Sequence, residues 1–238
     1  MENFGAFGTS PLPMSPAAAA ERVTDFLRKV YGWMGAGLAI TALVALQVAG
    51  SPAILSRLVS NQFLFMGLML AELGLVFYLS ARAARLAPTT AMGLFVVYAA
   101  LNGVTLSFVF LAYTGESVTN AFVVTAGMFG AMALYGSTTK RSLAGVGQFA
   151  FMGLVGVVLA SLVGLFWHSD ALQFVISVAG VIVFTGLAAW DAQRLKGMAL
   201  ATPEGQIGSY AIVGALALYL DFINLFLSLL RLFGSRRD

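Results

Sequence analysis

The segment 218-LYLDFINLFLSLLRLFG-234 decides the fold. It reads as an apolar helix from end to end, yet Asp221 sits inside it with no basic residue within a turn. An aspartate at the centre of a membrane helix costs about 2.5–3.5 kcal/mol on insertion scales. Such a carboxylate must face protein or water, so the helix that carries it belongs among other helices.

The rest of the chain supports a membrane reading. Of 238 residues, 60% are hydrophobic and 10% charged, where soluble domains carry about 25% charged residues. Mean hydropathy is +0.91. The six prolines, at 11, 13, 16, 52, 88 and 203, fall between apolar blocks and do not interrupt them. The absence of cysteine excludes disulfides, thiol catalysis and cysteine-ligated zinc.

About 20 apolar residues cross the hydrocarbon layer, and seven such blocks are present. They are span 1 (Tyr31–Gly50), span 2 (Gln62–Ser80), span 3 (Thr90–Ala112), span 4 (Val118–Gly136), span 5 (Gly147–Trp167), span 6 (Gln173–Trp190) and span 7 (Ser209–Phe233). The fold class expected is an all-α polytopic membrane protein. The domain expectation is a flexible tail over 1–20 followed by a single seven-helix domain over 21–238. The first block is long and follows a charged stretch, which fits a cleaved leader poorly.

Basic residues set the orientation. With the N-terminus cytoplasmic, the inner segments hold Arg22, Arg28, Lys29, Arg82, Arg85, Lys140, Arg141, Arg194 and Lys196. The outer segments hold Arg57, Arg231, Arg236 and Arg237. Nine against four favours an inner N-terminus. The basic C-terminus conflicts with that for seven spans, and a re-entrant last segment or six spans would remove the conflict. Loop arginines account for the net charge of +3, so no nucleic-acid partner is expected.

The stretch "MENFGAFGTSPLPMSP" is too rich in Gly, Pro and Ser to bury a core. "AAAAERVTDFLRKV" after it has the pattern of a short amphipathic helix on the inner surface, which serves as a positive anchor or as a handle for a cytoplasmic partner.

Of ten acidic residues, three lie at depth: Glu72 in span 2, Asp221 in span 7, and Asp191 at the inner end of span 6. At 100° per residue, Asp221, Asn224, Ser228 and Arg231 share one stripe roughly 80° wide. That polar seam either lines a cavity or glues helices together. Glu72 has Phe65, Leu68, Met69, Leu75, Val76 and Leu79 on its own face, so its partner must come from another helix. Asn102 is a further buried polar group of structural type.

Asp191 either pairs at the surface with Arg194, three residues on, or points inward toward span 7. Two carboxylates in a partly dry site cannot both ionise easily and titrate as a unit. Such a pair holds when protonated or singly ionised and repels when doubly ionised. Spacing leaves the meeting open: from a turn near 198–207, Asp191 lies about 10 Å along its helix and Asp221 about 20 Å.

"ALALYLDFINLFLSLLRLFG" and "WDAQRL" resemble the transmembrane Bax inhibitor motif family, which includes Bax inhibitor-1 and bacterial members. "AELGLVFYLSAR" and "LNGVTLSF" are similar to the same family, and the likeness covers about residues 20–234. It implies a seven-helix fold with helix 7 central, enclosed by helices 1–6. It also implies a pH-sensitive cation leak with calcium as the usual substrate, gated by a proton-sensing pair that matches Asp191 and Asp221. A basic residue at the inner end of span 2, either Arg82 or Arg85, would support the pair, and the family's span 2 glutamate matches Glu72. A tryptophan stands before Asp191 where tyrosine is common in the family.

Calcium takes six to eight oxygens. The deep inventory here is two or three carboxylates with Asn224, Ser228 and carbonyls, which suits the weak, transient binding that conduction requires. No resident metal or cofactor is expected, only transient Ca²⁺ near Asp191 and Asp221. No enzyme is expected either. His168 is the single histidine, and GxSxG, HExxH and P-loop motifs are absent. Gly156, Ala160 and Gly164 form a small-xxx-small run that reads as helix packing.

A second class of function is a regulatory membrane protein. Some bacterial relatives act on a membrane-anchored ATP-dependent protease that grips flexible termini, and the N-terminal tail suits that role. The expected setting is a bacterial inner membrane crossed several times by a monomer, with lipid, calcium and protons as its partners.

Overall fold

A computed structural model describes residues 15–167 and 169–237. Eight α-helices follow in order: α1 (Pro16–Ala49), α2 (Pro52–Ser60), α3 (Gln62–Arg82), α4 (Pro88–Ala112), α5 (Gly115–Thr138), α6 (Ala144–Phe166), α7 (Asp170–Ala201) and α8 (Ile207–Phe233). A single 3₁₀ turn at Glu204–Gln206 leads into α8. Seven of these elements, all but α2, are long and apolar enough to cross a membrane. The chain is an all-α polytopic membrane protein.

Helix ends otherwise differ from the sequence expectation by three residues or fewer, and three departures are larger. The anticipated surface helix and span 1 form one unbroken helix, α1, which starts at Pro16 with Ser15 capping the Ala18 amide. Residues 16–20, expected within the tail, therefore open α1, while 1–14 lie outside the described residues. The short helix α2 was not anticipated. It is amphipathic and buries Leu55 and Leu58 against Val48 at the end of α1. Finally, α7 runs to Ala201, eleven residues past the expected end at Trp190.

Helix termini and close approaches follow from local chemistry. Pro16, Pro52 and Pro88 each occupy the first turn of a helix, where a missing N–H costs nothing. Between helices, lipid supplies no hydrophobic drive, so small residues that admit close packing decide the interfaces. Gly136 of α5 lies directly against the Ala189 backbone of α7, and Gly147 of α6 lies against the Trp190 ring. Ala188, Ala192 and Ala199 of α7 and Ala211 and Ala215 of α8 are all buried.

The last helix is the most enclosed. In its most apolar stretch 72% of residues are buried, against 6% in α3. It packs mainly on α7 and α1, then on α5, α4 and α3. The expected enclosure by all six other spans is not met, because α6 packs on α7 and has no substantial contact with α8.

The two ends of the bundle can be assigned from hydrogen bonds. Arg22 of α1 donates to the Ala199 and Thr202 carbonyls, so the start of α1 and the end of α7 share one face. At the other face the C-terminal segment pairs with the α4–α5 turn: Thr114 N–H donates to Ser235 O at 3.2 Å and Arg237 N–H to Ala112 O at 3.0 Å. The N- and C-terminal ends of the bundle thus lie on opposite faces. A continuous α8 (Ile207–Phe233) fits seven crossings without a re-entrant segment.

Candidate functional site

Asp191 and Asp221 are both buried, at 7% and 5% exposure. Their carboxyl groups meet across the α7–α8 interface within hydrogen-bonding reach. The extension of α7 makes this possible. With α7 ending at Ala201 and α8 starting at Ile207, Asp191 lies about 15 Å and Asp221 about 21 Å from the hairpin end. The remaining mismatch of about 6 Å is within the reach of two aspartate side chains on antiparallel helices.

Among the described residues no amide or hydroxyl completes the pair. Asp191 Oδ1 and Asp221 Oδ2 are buried and receive no hydrogen bond among the described residues, although Asp191 Oδ1 has an ion-pair contact. Two carboxylates present only acceptors to each other. The nearest cation is Arg194, whose Nε stands 3.3 Å from Asp191 Oδ1. Its guanidinium also lies 4.9 Å over the Trp190 ring, a stacking that holds the charge beside the pair. The expectations of surface pairing and inward pointing for Asp191 are thus both met at once.

Arg82 and Arg85 do not reach the pair. Both are exposed around the end of α3, and neither forms an ion pair among the described residues. The basic residue beside the aspartates comes from α7 itself. The seam of α8 faces α7, as the helix-packing expectation had it, but its Asn224 and Ser228 hydrogen bonds stay within the helix. Asn224 donates to Leu220 O at 2.8 Å and Ser228 donates to Asn224 O at 2.7 Å, so both satisfy their own helix. Ser228 packs on Gly180 of α7, where no Cβ would fit.

Glu72 has the partners from another helix that its face required. Asn102 Nδ2 donates to Glu72 Oε2 at 3.2 Å and Thr105 Oγ1 donates to Oε1 at 2.9 Å. Asn102 in turn accepts from the Tyr219 hydroxyl at 2.8 Å, and Thr41 Oγ1 is 2.6 Å from the same hydroxyl. Tyr219 is fully buried and edge-packed on Phe95 and Tyr98. This network joins α1, α3, α4 and α8, and sequence reading missed Tyr219 as its hub. The signal was available: a tyrosine hydroxyl deep in an apolar span needs a partner.

Among the described residues no group of three or more acidic or histidine side chains converges as a metal site would require. His168 lies outside the described residues.

Comparison with known sequences agrees with this architecture. Residues 23–238 match the family model described as Inhibitor of apoptosis-promoting Bax1. The chain belongs to the Bax inhibitor family. Members of this family that resemble it come from diverse bacteria. The inner membrane protein YbhL of Escherichia coli is 51% identical over 215 residues, 89% of this chain and 92% of YbhL. An uncharacterized protein of Deinococcus radiodurans is 44% identical over 228 residues, 95% of this chain and 97% of that protein. One from Borreliella burgdorferi is 43% identical over 215 residues, 90% of this chain and 93% of its own length.

Proposed function

We propose that this Bax inhibitor family protein is a pH-sensitive cation leak, with calcium as the ion conducted, gated by the Asp191–Asp221 pair. It resides in a bacterial inner membrane, as the inner membrane protein YbhL does by its name, with its N-terminus cytoplasmic, as the basic-residue count favours. It carries no resident cofactor and performs no bond-making chemistry.

One observation carries the reading. Two buried carboxyls face each other, each with an oxygen that receives no hydrogen bond among the described residues, and Arg194 stands beside Asp191. With one proton between them they form a hydrogen bond that ties α7 to α8. With none they repel in a medium of low dielectric, where the repulsion is much larger than in water. Raising the pH therefore favours separation of the two helices at this level. A cation can replace the lost proton only transiently, because two carboxylates fall short of the coordination a tight calcium site needs.

The test is calcium entry into proteoliposomes between about pH 6 and pH 8 for the wild type and Asp221→Asn. Wild-type flux should rise with pH, and the amide variant should lose that dependence because it cannot titrate. Wild-type behaviour in Asp221→Asn would rule out the pair as the gate. Absence of flux above protein-free vesicles at every pH would shift the assignment to the regulatory role, in which deletion of residues 2–16 removes control of a membrane protease.

A further inference from the structure

Consecutive spans α4 and α5 are joined by a tight turn, yet they scarcely touch below it. The gap between them is a cavity of about 310 Å³ walled by α1, α4 and α5, with α8 as its floor. That volume sits at the lower end of the ~300–1,000 Å³ range of small-molecule sites. It has room for one flexible chain, not for a helix about 10 Å across.

The lining selects the occupant. Leu46 and Phe122 stand at the mouth, 54% and 46% exposed on the surface that faces the bilayer. Leu106 forms the wall, and Phe222 and Ile223 of α8 form the floor. Thr41 and Thr119 are the two hydroxyls present. Thr119 donates to Gly115 O, and Thr41 is engaged by Ala99 O and Tyr219. No polar group is left over to hold water, which needs two to four partners in a cavity. The outer end is roofed by a cluster of Val118, Phe226 and Leu230 packed on Val109 and Phe110, above which the C-terminal segment clamps the α4–α5 turn. Entry is therefore sideways, and the cavity is continuous with the protein–lipid boundary at hydrocarbon depth.

We propose that this cavity is a binding site for one acyl chain of a bilayer phospholipid, which enters between α4 and α5 and lies against Phe222 and Ile223. The site places the chain on the central helix within two residues of Asp221. It stands on the cavity's lining alone and holds whether or not ions pass through the protein.

The test uses tryptophan quenching in vesicles of phosphatidylcholine brominated at mid-chain, free of fatty acid. The added emission of Phe222→Trp is taken as the difference from wild type. It is compared with the lipid-facing Leu43→Trp and with Phe184→Trp, which is as buried as Phe222 but lines none of this cavity. Quenching of Phe222→Trp at least half as strong as that of Leu43→Trp, relieved when Ala42→Phe narrows the mouth, supports the site. Quenching no stronger than that of Phe184→Trp overturns it. So does quenching that Ala42→Phe leaves unchanged, because the bromine then arrives by another route, and so does quenching seen only with added brominated fatty acid. If Phe222→Trp fails to fold, Leu106→Trp on the wall reads the same contrast.

Discussion

Tyr219 and Asp221, two residues apart on α8, serve opposite sides of the helix. The tyrosine hydroxyl reaches Thr41 of α1 and Asn102 of α4, while the aspartate meets Asp191 of α7. Two residues of helix turn a side chain through about 200°, so the pair of positions binds α8 on both flanks at one depth. One flank is a hydrogen-bond network, and the other is a buried carboxyl pair. A change at the aspartates therefore acts on a helix that is anchored behind.

Tyr219→Phe removes the anchor without a change of shape. It strips the donor from Asn102 Oδ1 and one partner from Thr41, while the ring keeps its edge contacts with Phe95 and Tyr98. The expected cost is about 1–2 kcal/mol, since hydrogen bonds between membrane helices average ~0.6 kcal/mol and an orphaned buried acceptor adds to that. Thermal unfolding in detergent, followed by tryptophan emission, should show a fall of several degrees. An unchanged midpoint would mean the network contributes nothing to α8.

The carboxyl pair makes a prediction for the double variant Asp191→Asn/Asp221→Asn. Two amides can hydrogen-bond to each other and never repel, so the α7–α8 contact stays closed at every pH. Flux should be low and flat from about pH 6 to pH 8, the range over which the wild type rises. High flux at alkaline pH in this variant would place the gate elsewhere.

If the pair gates flux as proposed, Arg194 should set where on the pH axis it opens. Its guanidinium, 3.3 Å from Asp191, favours loss of the shared proton by partly offsetting the resulting charge. Arg194→Gln makes the doubly ionised state harder to reach and moves the rise in flux toward higher pH. The side chain is 42% exposed, so solvent screening limits the pair to ~0.2–1 kcal/mol, or about half a pH unit. A shift toward lower pH would contradict the geometry.

Much of this was legible in the sequence because charge in an apolar span is costly and therefore conspicuous. Asp221 announced its enclosed helix, and the bare face around Glu72 required a partner on another span, supplied by Asn102 and Thr105. The end of α7 was not legible. "DAQRLKG" looks like an exit from the membrane, and hydropathy marks where the hydrocarbon stops, not where the helix does. At about 48 Å, α7 exceeds the ~30 Å apolar layer, and its polar turns are held by tertiary contacts. Gln193 bonds both Arg141 O and the Leu143 amide, and Lys196 donates to Ser137 O. Arg82 and Arg85 were misplaced for a related reason: which basic residue stands beside a carboxyl depends on helix rotation, which composition does not encode.

Glycine substitutions separate true close contacts from apparent ones. Gly156 belongs to the small-xxx-small run, yet nothing lies within 4 Å of the position its Cβ would take. Gly147 carries no such pattern, and a Cβ there would strike the Trp190 ring. Trp190 precedes Asp191 and carries the stacked Arg194, so its displacement disturbs the pair as well as the α6–α7 contact. Gly147→Ala should destabilise by about 1–3 kcal/mol, the usual cost of overpacking. Gly156→Ala should be neutral or gain up to about 1 kcal/mol from helix propensity. When the two variants are compared by thermal unfolding and by the pH profile of flux, only Gly147→Ala should lose stability, and only Gly147→Ala should move the profile. Equal destabilisation by both would show that the run at Gly156 packs as closely as its pattern suggests.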